Sequence, residues 1–202
     1  MKQNMKRVFY DLLTIKKEIA AAILIFAVGI YLGYTEPAQF AWILRSQLDQ
    51  LKQMSELLQH HHLLMFFQIF INNTLLAILT LFSGVVLIFP IAWLLINGMI
   101  IGYLFSSLPA ATNVGLLIAK GLLPHGLFEL PAIWIASAYG IRFGVVMLSS
   151  LFRLVNQEQR QRAKQEIEHF ANRSIPMIIF LTIILLMAAI IESTITPWLM
   201  NK

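Results

Sequence analysis

The chain has 202 residues, of which 58% are hydrophobic and 12% are charged, and its net charge is +5. Soluble domains carry about 25% charged residues, so this composition excludes an ordinary soluble domain and indicates a single integral membrane domain over residues 1–202. The sequence contains no cysteine, which excludes disulfides, thiolate metal sites and cysteine nucleophiles.

The positive charge lies at the ends of apolar segments rather than in one contiguous basic region. Basic residues in such places contact anionic lipid headgroups and orient a membrane protein. The partner that this pattern predicts is therefore the lipid bilayer, and binding of nucleic acid is not expected.

The first element is an apolar run over residues 19–34 that follows a basic N-terminal segment. This arrangement also occurs in signal peptides, but residues 34–37 offer no small-residue cleavage site. We therefore expect an uncleaved first span. The basic residues that precede it are Lys2, Lys6, Arg7, Lys16 and Lys17.

Residues 36–62 mix leucines at helical spacing with polar and charged positions between them. This periodicity predicts an amphipathic helix that lies on the membrane surface or against a partner protein. The leucines that define its apolar face are Leu44, Leu48, Leu51 and Leu58.

Four further apolar runs cover residues 63–82, 85–105, 126–150 and 175–191. Each is close to or above the length of about 17–20 residues that a helical span needs. The segment 114–123 is shorter, because a helix of that length rises only about 15 Å. It is predicted to be a half-helix or re-entrant segment, and a helix start is predicted at Pro124.

A second basic cluster lies between the last two spans and determines the topology. The positive-inside rule places both this cluster and the N-terminus in the cytoplasm, so an even number of crossings must separate them. Four spans satisfy this condition, which predicts an all-α polytopic bundle of five spans with the C-terminus outside. The cluster consists of Arg153, Arg160, Arg162, Lys164 and Arg173.

Three glycine pairs have the GxxxG spacing that lets two helix backbones approach closely in lipid. They are Gly29/Gly33, Gly98/Gly102 and Gly140/Gly144. Packing within one chain is the favoured interpretation of each pair, and a seam between chains of a homo-oligomer is the alternative.

The motif Pro124-His125-Gly126 with Glu129 places ionisable groups among apolar residues, where they are costly and mark a candidate functional site. His125 and Glu129 are four residues apart and therefore share one face of a helix. Gly126 allows a close approach of another group. Lys120 is the nearest candidate partner for Glu129, whereas Glu192 is expected to reach the outer headgroups.

Three asparagines on the second and third spans could join this motif in one polar pocket: Asn72, Asn73 and Asn97. A structural hydrogen-bond cluster is the favoured interpretation, and a pocket or path for an ion, proton or lipid headgroup is the second. A metal site built on His125 and Glu129 is the weakest, because no HExxH motif is present. We expect no cofactor and no enzymatic activity, since no catalytic arrangement stands out.

The order of these motifs resembles the stage II sporulation protein M family. The motifs are Asn72-Asn73, a bend at Gly84, Asn97-Gly98-x-x-x-Gly102 and Leu123-Pro124-His125-Gly126-x-x-Glu129. The resemblance covers residues 63–150 through these motifs and extends more loosely over the whole chain. By position it makes Asn73, Asn97, His125, Gly126 and Glu129 the family's motif residues, without supplying their chemical role.

The resemblance also implies a function. The family's named member anchors two cell-wall-degrading proteins at the septal membrane during endospore engulfment. We therefore expect a non-enzymatic scaffold in a bacterial cytoplasmic membrane, which binds peptidoglycan hydrolases outside the cell through residues 36–62 and the outer loops. A small transporter or channel-like protein that uses the polar pocket is the main alternative, and a metal-dependent intramembrane enzyme is a weaker one.

Overall fold

A computed structural model describes residues 2–42, 45, 61–110, 112–154 and 159–200, and within these ranges the secondary structure is helical with no strand. Two π-helical turns, Ile118–Leu122 and Ile191–Ile195, join consecutive helices near the C-terminal half of the chain. The helices are α1 (Lys2–Thr14), α2 (Lys16–Thr35), α3 (His62–Phe82), α4 (Ile88–Ser106), α5 (Val114–Leu117), α6 (Leu123–Leu154), α7 (Arg160–Ile190) and α8 (Thr196–Met200).

In the part of the chain that the structure describes, five helical segments are long and apolar enough to cross a membrane. This number agrees with the number of spans predicted from the apolar runs, and it confirms the prediction of an all-α membrane bundle. The segments are Lys16–Thr35, Leu63–Val85, Ile88–Ser106, Val114–Leu151 and Arg160–Leu199.

The outer faces of these helices are apolar. On α3 a stripe of large hydrophobic side chains recurs every three or four residues and is exposed at the bundle surface, namely Leu64, Phe67, Ile71, Leu75 and Leu79. A stripe of this kind is unfavourable in water but matches the hydrocarbon of a bilayer. It therefore identifies the lipid-facing side of the second span.

The helices α2 and α4 cross with their backbones in close contact. A side chain added at Gly29 or Gly33 would meet the α4 backbone at Leu95 or Met99, and one added at Gly98 or Gly102 would meet the α2 backbone. Two of the glycine pairs thus face each other across a single contact. Only glycine permits this approach, because each opposing atom belongs to a backbone that cannot rotate away.

The third glycine pair packs against the short 3₁₀ turn that follows α3. A side chain at Gly140 would meet the Thr80 carbonyl, and one at Gly144 would meet the carbonyl of Gly84 in that turn. Gly84 in turn faces the backbone of Gly140. All three pairs therefore lie at contacts inside one chain, and the third pair packs α6 against the end of α3 and the turn that follows it.

One sequence prediction was wrong. Residues 114–123 do not form a separate half-helix, because α5, the first π-helical turn and α6 follow one another without a break, so Pro124 lies inside a continuous helical segment rather than at its start. The helix instead starts after Asn113, whose side chain accepts a hydrogen bond from the Leu116 amide at 3.1 Å. A proline ring clashes with the carbonyl four residues earlier in a regular α-helix, and the wider π-helical turn accommodates it.

The predicted amphipathic helix over residues 36–62 lies mostly outside the described residues. The structure describes helical backbone at residues 37–42 and at 45, and again from His62 onward. The apolar face of residues 46–60 therefore stays a prediction from the sequence.

Three ion pairs connect helices at one end of the bundle. Arg142 contacts Glu18 at 3.3 Å and so joins α6 to the start of α2. Arg153 and Glu166 pair at 2.6 Å and join the end of α6 to the start of α7. Lys16 and Lys17 of the N-terminal basic segment directly precede Glu18, and Arg153 belongs to the second basic cluster, so parts of both clusters lie at this same end, which we call the basic end.

The third ion pair, between Asp11 and Arg173 at 2.9 Å, holds α1 against α7 at the basic end. Burial raises the pKa of the Asp11 carboxyl, and the nearby positive charges of Arg173 and His169 oppose that shift. The contact is therefore one in which desolvation of the carboxylate offsets much of the attraction.

Labelling of single cysteines tests the orientation of this bundle. Cysteines introduced at Ser55 and Asn201 should react with a membrane-impermeant maleimide in intact cells, whereas a cysteine at Gln159 should react only after permeabilisation. The cysteine-free parent chain is the control, since it has no thiol to label. Labelling of the Gln159 position in intact cells would contradict a cytoplasmic basic end.

Candidate functional site

The motif residues gather at the end of the bundle opposite the basic end. His125 and Glu129 lie in the first turns of α6, and Glu192 lies in the π-helical turn that follows α7. One potential ligand atom from each of these three side chains lies within 4.8 Å of the other two. We call these three residues the His–Glu–Glu cluster.

Hydrogen bonds connect the cluster to two more helices. Asn73 on α3 donates its Nδ2 to Glu129 Oε1 at 2.9 Å, and Asn72 donates to Asn73 Oδ1 at 3.4 Å. On the other side, His125 Nδ1 lies 3.4 Å from the hydroxyl of Thr196 on α8. The cluster therefore joins the second, fourth and fifth spans at one point.

Other residues from the sequence analysis lie nearby without joining this network. Asn97 lines the cavity that contains the cluster and that is described below. Its Nδ2, however, donates to the Trp93 carbonyl of its own helix at 2.8 Å. Gly98 lies at the crossing of α2 and α4, and Pro124 lies inside the continuous helix. A Cβ on Gly126 would make only ordinary contacts at 3.9 Å, and its backbone has no positive φ.

Two expectations about charged partners were wrong. Glu129 takes its hydrogen bond from Asn73, and within the described chain no ion pair links it to Lys120. Glu192 is half-buried in the cluster instead of reaching outward to headgroups. One feature of the sequence could have indicated this burial: Glu192 is a lone acidic residue directly after the apolar run 175–191.

A cavity of about 720 Å³ opens between α3 and α4 and contains the cluster. These two helices make few contacts with each other beyond their connecting turn, so the space between them is not closed by side chains. The walls are partly apolar and partly polar. Apolar wall residues include Phe26, Ile69 and Ile133, and polar ones include Gln68, Asn72 and Ser137.

The electrostatics of the cluster restrict what it can do. Two ionised carboxylates at this separation repel each other strongly when little water surrounds them, since the interaction grows as the dielectric constant falls. Like charges that share a site are therefore compensated by a proton or by a cation. The His–Glu–Glu cluster is accordingly suited to hold one of these between Glu129 and Glu192.

Membrane-length helices around an internal polar cluster define this chain as a multi-pass α-helical membrane protein. The family model of stage II sporulation protein M matches residues 22–197, and the chain belongs to that family. The family resemblance predicted from the asparagine, glycine and PHGxxE motifs is thereby confirmed.

Two uncharacterized proteins of Methanocaldococcus jannaschii are similar to this chain. One is 27% identical over 125 residues, which are 62% of this chain and 52% of the relative. The other is 32% identical over 104 residues, which are 52% of this chain and 54% of the relative. The chain thus spans about half the length of the curated relatives it matches. No solved structure matches the chain.

Proposed function

We propose that this protein is a non-enzymatic membrane scaffold of the stage II sporulation protein M type, which anchors peptidoglycan hydrolases at the septal membrane during endospore engulfment. In this proposal the bundle resides in a bacterial cytoplasmic membrane with its N-terminus in the cytoplasm and its C-terminus outside. The observation that carries the proposal is the family match over residues 22–197, which covers three spans completely and most of the first and the last.

The packing of the bundle is consistent with a scaffold. The glycine contacts between α2 and α4 and between α6 and the α3–α4 turn leave the helices little freedom to slide past one another. Ion pairs fasten the basic end, and the hydrogen bonds of Asn73 and Thr196 connect helices at the opposite end. A bundle held at both ends can present a fixed outer surface to a partner.

The outer surface that we propose for the hydrolases is the amphipathic segment 36–62 together with the loops on the same side. Its leucines recur at helical spacing in a segment that lies outside the spans. Assembly of several copies remains an additional proposal, since all three glycine pairs are used within one chain.

The doubly substituted variant Leu48→Asp/Leu51→Asp tests this surface. It should insert normally but recover much less peptidoglycan hydrolase in affinity purification from membranes, because two carboxylates replace the apolar contact. The matched control is Gln50→Asp/Gln53→Asp, which adds the same charge to the polar face of the same predicted helix. Equal hydrolase recovery with both variants would remove this helix from the interface.

A second candidate function rests on the cavity between α3 and α4. Its volume of about 720 Å³ and its paired carboxylates are features that a small transporter or channel-like protein would also use. Purified protein in liposomes tests this alternative directly, because a transporter would give a cation or proton flux that Glu129→Gln abolishes. A scaffold gives no flux above that of empty liposomes.

A further inference from the structure

We propose that His125, Glu129 and Glu192 bind one divalent transition-metal ion of the Zn²⁺ class, which links α6 to the end of the fifth span. This site goes beyond the scaffold function and does not depend on it. The evidence for it lies in the ligand set, its charge, its hydrogen-bonded surroundings and the backbone that supports it.

The ligand set is chemically selective. One imidazole and two carboxylates suit Zn²⁺ and similar first-row ions, whereas Ca²⁺ and Mg²⁺ prefer oxygen ligands alone. The three potential ligand atoms lie within 4.8 Å of one another. Ligands of one tetrahedral Zn²⁺ are about 3.4 Å apart, so rotations of the side chains that move these atoms by about 1 Å bring the three protein ligands into position, and water would occupy the fourth coordination position.

The charge of the site favours a divalent cation over other compensating groups. Two carboxylates and one neutral imidazole carry a charge that one divalent ion cancels completely, which leaves no net charge among apolar side chains. Within the described ranges, no lysine or arginine forms an ion pair with Glu129 or Glu192. The ion pairs of the described residues therefore include no lysine or arginine that compensates these two carboxylates.

The surrounding hydrogen bonds have the arrangement that orients metal ligands. Asn73 donates to Glu129 Oε1 at 2.9 Å, which fixes one carboxylate and leaves its second oxygen available. When His125 Nδ1 donates its proton to the Thr196 hydroxyl, Nε2 carries the lone pair that a metal needs. Metal-binding histidines commonly use their other ring N–H in this way.

The backbone departs from regular α-helix on both sides of the cluster. The π-helical turn Ile118–Leu122 ends three residues before His125, and the turn Ile191–Ile195 contains Glu192 itself. π-Helical turns inside long helices are rare and are found frequently at functional sites. Each of the two helical segments that supply ligands therefore has a wider, π-helical turn next to the cluster or within it.

The test uses the full chain, purified without a histidine tag, treated with EDTA and then titrated with ZnCl₂. We expect about one Zn²⁺ per chain by mass spectrometry of the metal, together with a rise in unfolding temperature that EDTA reverses. Glu192→Gln and His125→Gln should lose both responses, since each removes a ligand. Glu168→Gln is the matched control, because it neutralises an exposed carboxylate on α7 far from the cluster.

The proposal is overturned if the wild-type chain binds no Zn²⁺ and its unfolding temperature is the same with ZnCl₂ and with EDTA. It is also overturned if Glu192→Gln binds Zn²⁺ as the wild type does. Should a variant fail to fold, the wild-type titration alone decides the question. If the chain binds no metal, the recovery of hydrolase with the wild-type chain is unaffected. The scaffold proposal is therefore tested separately from the metal site.

Discussion

Replacing Gly33 with leucine is expected to separate α2 from α4 and to lower the stability of the bundle severely. The Cβ of any residue at position 33 would overlap the backbone of Met99, which cannot rotate away as a side chain could. Overpacking of a tight contact typically costs about 1–3 kcal/mol, and a clash with backbone lies at or above the upper end of that range. Thermal unfolding in detergent measures the loss.

The control for this substitution is Gly115→Leu on α5. Gly115 is exposed, and the nearest atom that a Cβ there would meet is the Asn113 side-chain oxygen at 3.5 Å, which is ordinary contact. The same residue change should therefore be nearly neutral at position 115. An unfolding temperature for Gly33→Leu equal to that of Gly115→Leu would show that the two helices do not cross as closely as described.

Substitution of Glu129 by alanine is expected to cause the second large loss of stability. Glu129→Ala should destabilise the protein, because the side-chain amide of Asn73 loses its acceptor at the cavity, and an unsatisfied buried group costs about 1–3 kcal/mol. Glu129→Gln should be much milder, because the amide oxygen can still accept the hydrogen bond from Asn73. Both variants are compared by thermal unfolding in buffer that contains EDTA, so that bound metal makes no contribution.

Both substitutions remove the repulsion between Glu129 and Glu192 to the same extent, so the difference between Glu129→Gln and Glu129→Ala in the absence of metal reports the lost hydrogen bond and the lost side-chain volume. Equal destabilisation by the two substitutions would contradict a hydrogen-bonding role for this carboxyl group. A matched change on the exposed surface, Glu168→Gln, should leave the unfolding temperature unchanged under the same conditions.

The spans could be predicted from the sequence because the length of an apolar run is a local property. The contact partners could not. GxxxG spacing predicts that a backbone approaches closely, but it does not say that Gly29 and Gly33 meet Gly98 and Gly102. The partner of each pair follows only from the packing of the whole bundle.

Contact partners also account for the differences between the predicted and the observed candidate site. His125 and Glu129 could be paired from their spacing, whereas Glu192 reaches them through the packing of the fifth span against the fourth. The π-helical turn before Pro124 has no clear sequence signature, so the sequence alone predicts a helix start at this proline. The side-chain amide of Asn97 donates its hydrogen bond to a carbonyl of its own helix rather than to the cluster. The spacing of residues in the sequence does not distinguish between these two acceptors.

Affinity purification of the tagged full chain from native membranes, followed by quantitative mass spectrometry, tests the scaffold most directly. The account predicts that peptidoglycan hydrolases are enriched with the wild-type chain over an unrelated multi-span membrane protein that carries the same tag. Recovery of no hydrolase above that control, from membranes in which the hydrolases are detected, would contradict the proposed function.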